Sequence, residues 1–67
     1  MKKKGIVIKY DGFVGTIITD DNKEYLLLKK ETEEKLNNND EVIFEPEIFT
    51  TASDDRNVAR FVKKIKR

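Results

Sequence analysis

The chain contains neither cysteine nor histidine. No disulfide framework can staple it, and zinc sites built from thiolate or imidazole are excluded. Small secreted domains ordinarily lean on such staples, so their absence points to the cytoplasm. A nucleophile with its base is missing too, because Ser53 is the single serine and has no imidazole to serve it. The acidic pairs Asp20-Asp21, Glu33-Glu34 and Asp54-Asp55 fall in turn-forming or loop-forming sequence, with no pocket to raise a carboxyl pKa. This reads as a protein that is not an enzyme, with no cofactor and no metal. Asp20, Asn22, Glu24 and Glu31 match the ligand spacing of a calcium loop, but Tyr25 occupies the position that requires glycine. Long apolar runs are also lacking. Met1-Lys2-Lys3-Lys4 has the charge of a signal-peptide start, yet Lys9, Tyr10, Asp11 and Gly12 cut off Ile6-Val7-Ile8 far short of an h-region or a membrane span.

What remains is enough for one small domain, residues 1–67. A chain of this length buries only about 60% of the surface it exposes when unfolded, so its stability margin is thin. The net charge of +1 conceals a strong pattern. Residues 1–10 carry four lysines and no acid, residues 11–55 carry all thirteen acids against four lysines, and residues 56–67 carry six basic residues and no acid. Basic ends of this kind are solubilising tails, or they meet in the fold to make one cationic patch.

The apolar residues are clustered and periodic, which favours a folded chain over a disordered one. Residues 4–10 are rich in β-branched side chains and run into Asp11-Gly12, a turn pair, so they predict a strand and a hairpin. A second strand covers residues 14–19 and ends at Asp20-Asp21-Asn22-Lys23, where Asn and Asp tolerate left-handed backbone angles. The third covers residues 24–29. Thr32-Glu33-Glu34-Lys35 suggests one helical turn anchored by Leu36. The fourth strand, residues 40–48, sets Val42 and Phe44 on one face and Ile43 on the other. Pro46 removes a ladder donor and should weaken pairing there, leading into a polar loop over residues 47–56.

The last segment is ambiguous. Val58, Phe61, Val62 and Ile65 recur at helical spacing, while Ala59, Phe61 and Ile65 fit one side of a strand. Four strands leave an open edge that a fifth would close, so residues 56–65 read as a strand. Five strands with short turns and one longer excursion predict an all-β, five-stranded antiparallel barrel of the oligonucleotide/oligosaccharide-binding (OB) type.

Gly5-Ile6-Val7, Tyr10-Asp11, Gly15-Thr16-Ile17, Leu36 through Glu45 and Ala59 with Val62 together resemble the cold-shock domain, and the likeness covers most of the chain. The nearest stretch is Leu36-Asn37-Asn38-Asn39-Asp40-Glu41-Val42-Ile43-Phe44-Glu45, with Asn39 where the family has a glycine. A more distant likeness is to the barrel of bacterial translation initiation factor one. The resemblance implies binding of single-stranded RNA or DNA by bases stacked on aromatic rings of the second and third strands. Here those strands read Val14-Gly15-Thr16-Ile17 and Tyr25-Leu26-Leu27-Leu28, and Lys9 replaces the family's tryptophan. Each lost ring removes about 1–3 kcal/mol of stacking per base.

The candidate nucleic-acid contacts are therefore Lys4, Lys9, Lys29, Lys30, Arg56 and Arg60 for phosphates and Tyr10 and Phe13 for stacking. Phe13 stands out, because an aromatic at a turn tip beside glycine has little core to enter. Tyr10 and Tyr25 each have a packing alternative, ring inside and hydroxyl outside. Val14, Leu26 and Leu28 would make an apolar outer face, which suits a protein contact unless Ile48-Phe49 folds over it. The expected partners are single-stranded RNA or DNA, or another protein. A third reading treats residues 56–67 as a basic amphipathic helix on an anionic membrane.

Overall fold

The computed structural model describes residues 2–50, 52 and 55–65. Five strands form a closed barrel: β1 (Lys3–Ile8), β2 (Val14–Thr19), β3 (Glu24–Leu28), β4 (Glu41–Thr50) and β5 (Asp55–Lys64). The order around the barrel is β1-β2-β3-β5-β4, with β4 returning to β1. All pairings are antiparallel except β3 with β5, which meet in parallel at Leu26 and Val58. This is a small OB-type barrel. Residues 55–64 form a strand, so the membrane-helix reading of this segment is wrong. Among the described residues no helix is long and apolar enough to cross a membrane.

Alternation along each strand sends every second side chain inward. Val7, Ile17, Leu27, Val42, Phe44 and Ala59 are fully buried, joined by Tyr25, Leu36 and Val62. Tyr25 is thus a core residue, its ring 5.0 Å from that of Phe44 and tilted by 57°. Leu36 is the expected anchor, but the helical turn before it lies earlier in the chain. A 3-10 turn covers Lys29–Glu31, and Thr32 already bridges in parallel to Val62. Thr32 is β-branched, and its extended backbone ends the turn.

The turns follow their chemistry. Gly12 has φ +99°, Asn22 +64° and Asn39 +76°, all in the region that Gly and Asn enter cheaply. Gly12→Val should therefore cost about 1–3 kcal/mol, although a Cβ at this site would meet open space. The midpoint of a urea transition gives the value directly, and an unchanged midpoint would remove the strain argument. Lys9 also has positive φ (53°), and it ends β1 two residues before the expected limit.

Two expectations fail on the β4–β5 side. Pairing does not weaken at Pro46; the ladder runs on to Thr50 opposite Asp55, with Pro46 facing Ala59. Past Phe44, β4 has left β1 and pairs with β5 alone, so the missing proline donor faces an open edge and costs no ladder bond. The expected polar loop is therefore mostly a hairpin arm; Thr51, Ser53 and Asp54 of it lie outside the described residues. Ile48 and Phe49 are exposed on that arm and are not packed as a cover over the third strand.

Candidate nucleic-acid interface

The β1–β2 hairpin is built to hold Phe13 outward. Asp11 accepts from the backbone N–H groups of Phe13 and Val14, both at 2.9 Å, and its own N–H donates to the Val14 carbonyl at 3.2 Å. Those two donors hold the Asp11 carboxyl below its usual pKa, the Val14 bond more than the Phe13 bond. Because the folded value is depressed, this contribution to the hairpin is complete above the ordinary aspartate range and is lost as pH falls through the lower folded value. An NMR titration of the Asp11 carboxyl should show a midpoint below that of an unfolded peptide, with the Phe13 and Val14 amides moving in step. A normal midpoint would sink this account of the turn.

Phe13 is 70% exposed. Its carbonyl accepts from the Lys29 N–H at 2.9 Å, and the Lys29 ammonium lies 5.0 Å from its ring centroid. The 3-10 turn after β3 is thereby tied to the hairpin tip, and a cation sits over one face of a largely exposed ring. Tyr10 behaves differently. It is half-buried against the core, its N–H donates to Asn38 Oδ1 at 2.7 Å, and its hydroxyl donates to the Gly12 carbonyl at 3.3 Å. It braces the hairpin.

Registers place the outward side chains of β1, β2 and β3 in rows. Ile6 pairs with Ile18 and Ile18 with Glu24; Ile8 pairs with Thr16, Thr16 with Leu26 and Leu26 with Val58; Val14 pairs with Leu28. The outer face named in sequence by Val14, Leu26 and Leu28 thus also includes Ile6, Ile8 and Ile18. Val14 is exposed and the other five are half-buried. Their outward direction follows from the strand registers, which the sequence alone does not fix.

The basic candidates divide by partner. Arg60 donates to Glu31 at 2.9 Å and to Glu47 at 2.6 Å, and these two carboxylates raise its pKa further. Its guanidinium is engaged by these two carboxylates. Lys64 pairs with Asp40 and Lys3 with Asp21. Lys4, Lys9, Lys29, Lys30, Lys63 and Arg56 make no ion pair among the described residues. The two basic ends do approach each other, since Lys4 of β1 and Lys63 of β5 both pair with Ile43 of β4. Arg56 lies away from these, opposite Phe49 on the hairpin arm.

Sequence reasoning offered neither Phe61 nor Lys63 as a contact. It set Phe61 on one side of the strand with Ala59, whereas Ala59 is buried and Phe61 is outside, because a register shift falls between the pairings of Arg60 and Lys63. Phe61 is 62% exposed with φ 53° and sits in a register shift between β4 and β5. Among the described residues no cluster of acidic side chains has a metal-holding arrangement. Compared with protein-family models and with curated proteins, the chain matches none.

Proposed function

We propose that this barrel is a weak single-strand nucleic-acid binding module, held to phosphates by lysines and to bases by Phe13. The observation that carries the reading is the open Phe13 ring at the hairpin tip with the Lys29 ammonium 5.0 Å from its centroid. An aromatic face stacks any base, and an adjacent cation meets the phosphate that follows it. Lys9 and Lys30 extend the charge on either side in the chain, and neither is neutralised by an ion pair among the described residues. The resemblance to cold-shock domains supports the same reading, with the loss of most stacking rings setting the affinity low.

The test is a fluorescence anisotropy titration with a short mixed-sequence single strand at several salt concentrations. Binding should weaken steeply with salt, and Phe13→Ala should weaken it by about 1–3 kcal/mol with the thermal midpoint unchanged. Lys9→Ala should instead lower the log–log salt slope by about 0.7, the value for one phosphate on a single strand. If both variants bind like the parent, this surface does not bind nucleic acid.

A second reading rests on the aliphatic outer face. Ile6, Ile8, Val14, Ile18, Leu26 and Leu28 share their rows on β1–β3 with Thr16 and Glu24, and Ile6 is flanked on β4 by Glu41. Such a face stacks bases poorly and suits a protein surface better. Leu26→Asp separates the two readings: it should abolish a salt-resistant protein contact while leaving charge-driven oligonucleotide binding in place.

A further inference from the structure

Phe61 occupies a backbone position that a phenylalanine has no packing reason to fill. The β4–β5 register changes by one residue between Glu45, which pairs with Arg60, and Ile43, which pairs with Lys63. Phe44 is left opposite two residues of β5, a bulge, and Phe61 takes the left-handed conformation (φ 53°) that glycine takes freely. The bulge turns Val62 into the core at 2% exposure and leaves the Phe61 ring outside. Glycine would fit this backbone without strain, and the ring gains little burial in exchange.

The ring lines a groove of about 590 Å³ between β5 and the 3-10 turn, within the size range of small-ligand clefts. Lys30 and Lys63 line the same groove and make no ion pair among the described residues. The acids around it are partly answered already: Glu31 by Arg60, and Glu34 by the Lys64 N–H at 2.6 Å. The Arg60 guanidinium lies 5.5 Å from the ring centroid and polarises that face. Lys30, which lines the groove, follows Lys29, whose N–H donates to the Phe13 carbonyl, so the groove begins one residue from the turn tied to the hairpin tip.

We propose that this groove is a second base subsite, with Phe61 as its stacking face and Lys30 and Lys63 as its phosphate contacts. It rests on the single-strand reading above and extends the strand's path from β2–β3 around the 3-10 turn onto β5. The occupant is a nucleotide several positions along from the one on Phe13.

The experiment compares labelled single strands of about four and about twelve nucleotides, which span the site sizes of barrels of this type. The variants are the parent, Phe13→Ala, Phe61→Gly, Phe61→Trp and Lys63→Ala, each checked for its thermal midpoint. Phe61→Gly suits the left-handed backbone, so it should fold at least as well as the parent. It should weaken the longer strand about 5- to 150-fold and leave the shorter one unchanged, while Phe61→Trp binds like the parent. Lys63→Ala should lower the salt slope of the longer strand by about 0.7. Should Phe61→Gly bind the longer strand like the parent while Phe13→Ala weakens both, the groove is no subsite and the hairpin-tip reading stands. A parent that binds neither strand overturns both.

Discussion

Phe44→Ala is expected to lose about 3–5 kcal/mol of stability, comparable with the whole margin of a domain this small. Phe44 is fully buried, and its ring packs against Tyr25 from across the barrel. It also lies where β4 passes from β1 to β5: Lys3 pairs with it on one side, and the β5 bulge opposes it on the other. A cavity there would open between strands that have no second layer behind them, so neighbouring side chains can refill it only by moving strands. Urea unfolding measures the loss, and Phe44→Leu, which keeps most of the volume, should cost clearly less. Equal midpoints for parent and Phe44→Ala would show that the barrel core lies elsewhere. Val42→Ala removes fewer atoms from the same row and should follow in the same direction.

Phe44 was legible because a strand's period of two puts Val42 and Phe44 on one face and Ile43 on the other, and the larger pair took the core. Gly12, Asn22 and Asn39 were legible for an equally local reason, since each residue type tolerates the left-handed angle it adopts. The fifth strand was legible only from the open edge it had to close, not from its own pattern. Its bulge inserts one residue, so Val58, Phe61, Val62 and Ile65 imitate a helical period although they belong to a strand. A phenylalanine in the left-handed region gives no sequence signal, and neither does Lys9 at φ 53°. Pro46 misled for another reason. Its cost depends on whether a neighbour strand needs its donor, and strand adjacency is a property of the closed barrel.

Within the candidate site, Phe13 was legible from its turn and Arg60 was not. A basic residue in a basic segment looks available, but Glu31 and Glu47 converge on it only after the 3-10 turn and β4 are brought against β5. Cross-strand registers likewise extend the three-residue apolar face read from sequence to six. Charge clusters in sequence therefore overstate the number of free cations, while isolated isoleucines understate a surface.

Gly15→Val is expected to cost about 3 kcal/mol or more and to disable the hairpin tip as well. Gly15 is buried, and even a Cβ there would lie 2.7 Å from Tyr10 Cα and within 2.9 Å of Tyr10 Cβ and Cδ1. The nearest of these is a backbone atom, so the clash cannot be relieved by turning a side chain. The ladder pairs Ile8 with Thr16, yet the Asp11 N–H reaches the Val14 carbonyl, so one extra residue is taken up around Lys9 and Tyr10. That bulge lays Tyr10 directly across Gly15, and the Tyr10 bonds to Asn38 and to the Gly12 carbonyl lock it there. Displacing Tyr10 would break both bonds and move the Asp11 turn that presents Phe13. Gly15→Ala should already lower the thermal midpoint, and Gly15→Val should lower it further. Pairing Gly15→Ala with Tyr10→Ala tests the cause: if the clash is with Tyr10, the double variant should recover part of the loss, and strict additivity would place the strain elsewhere.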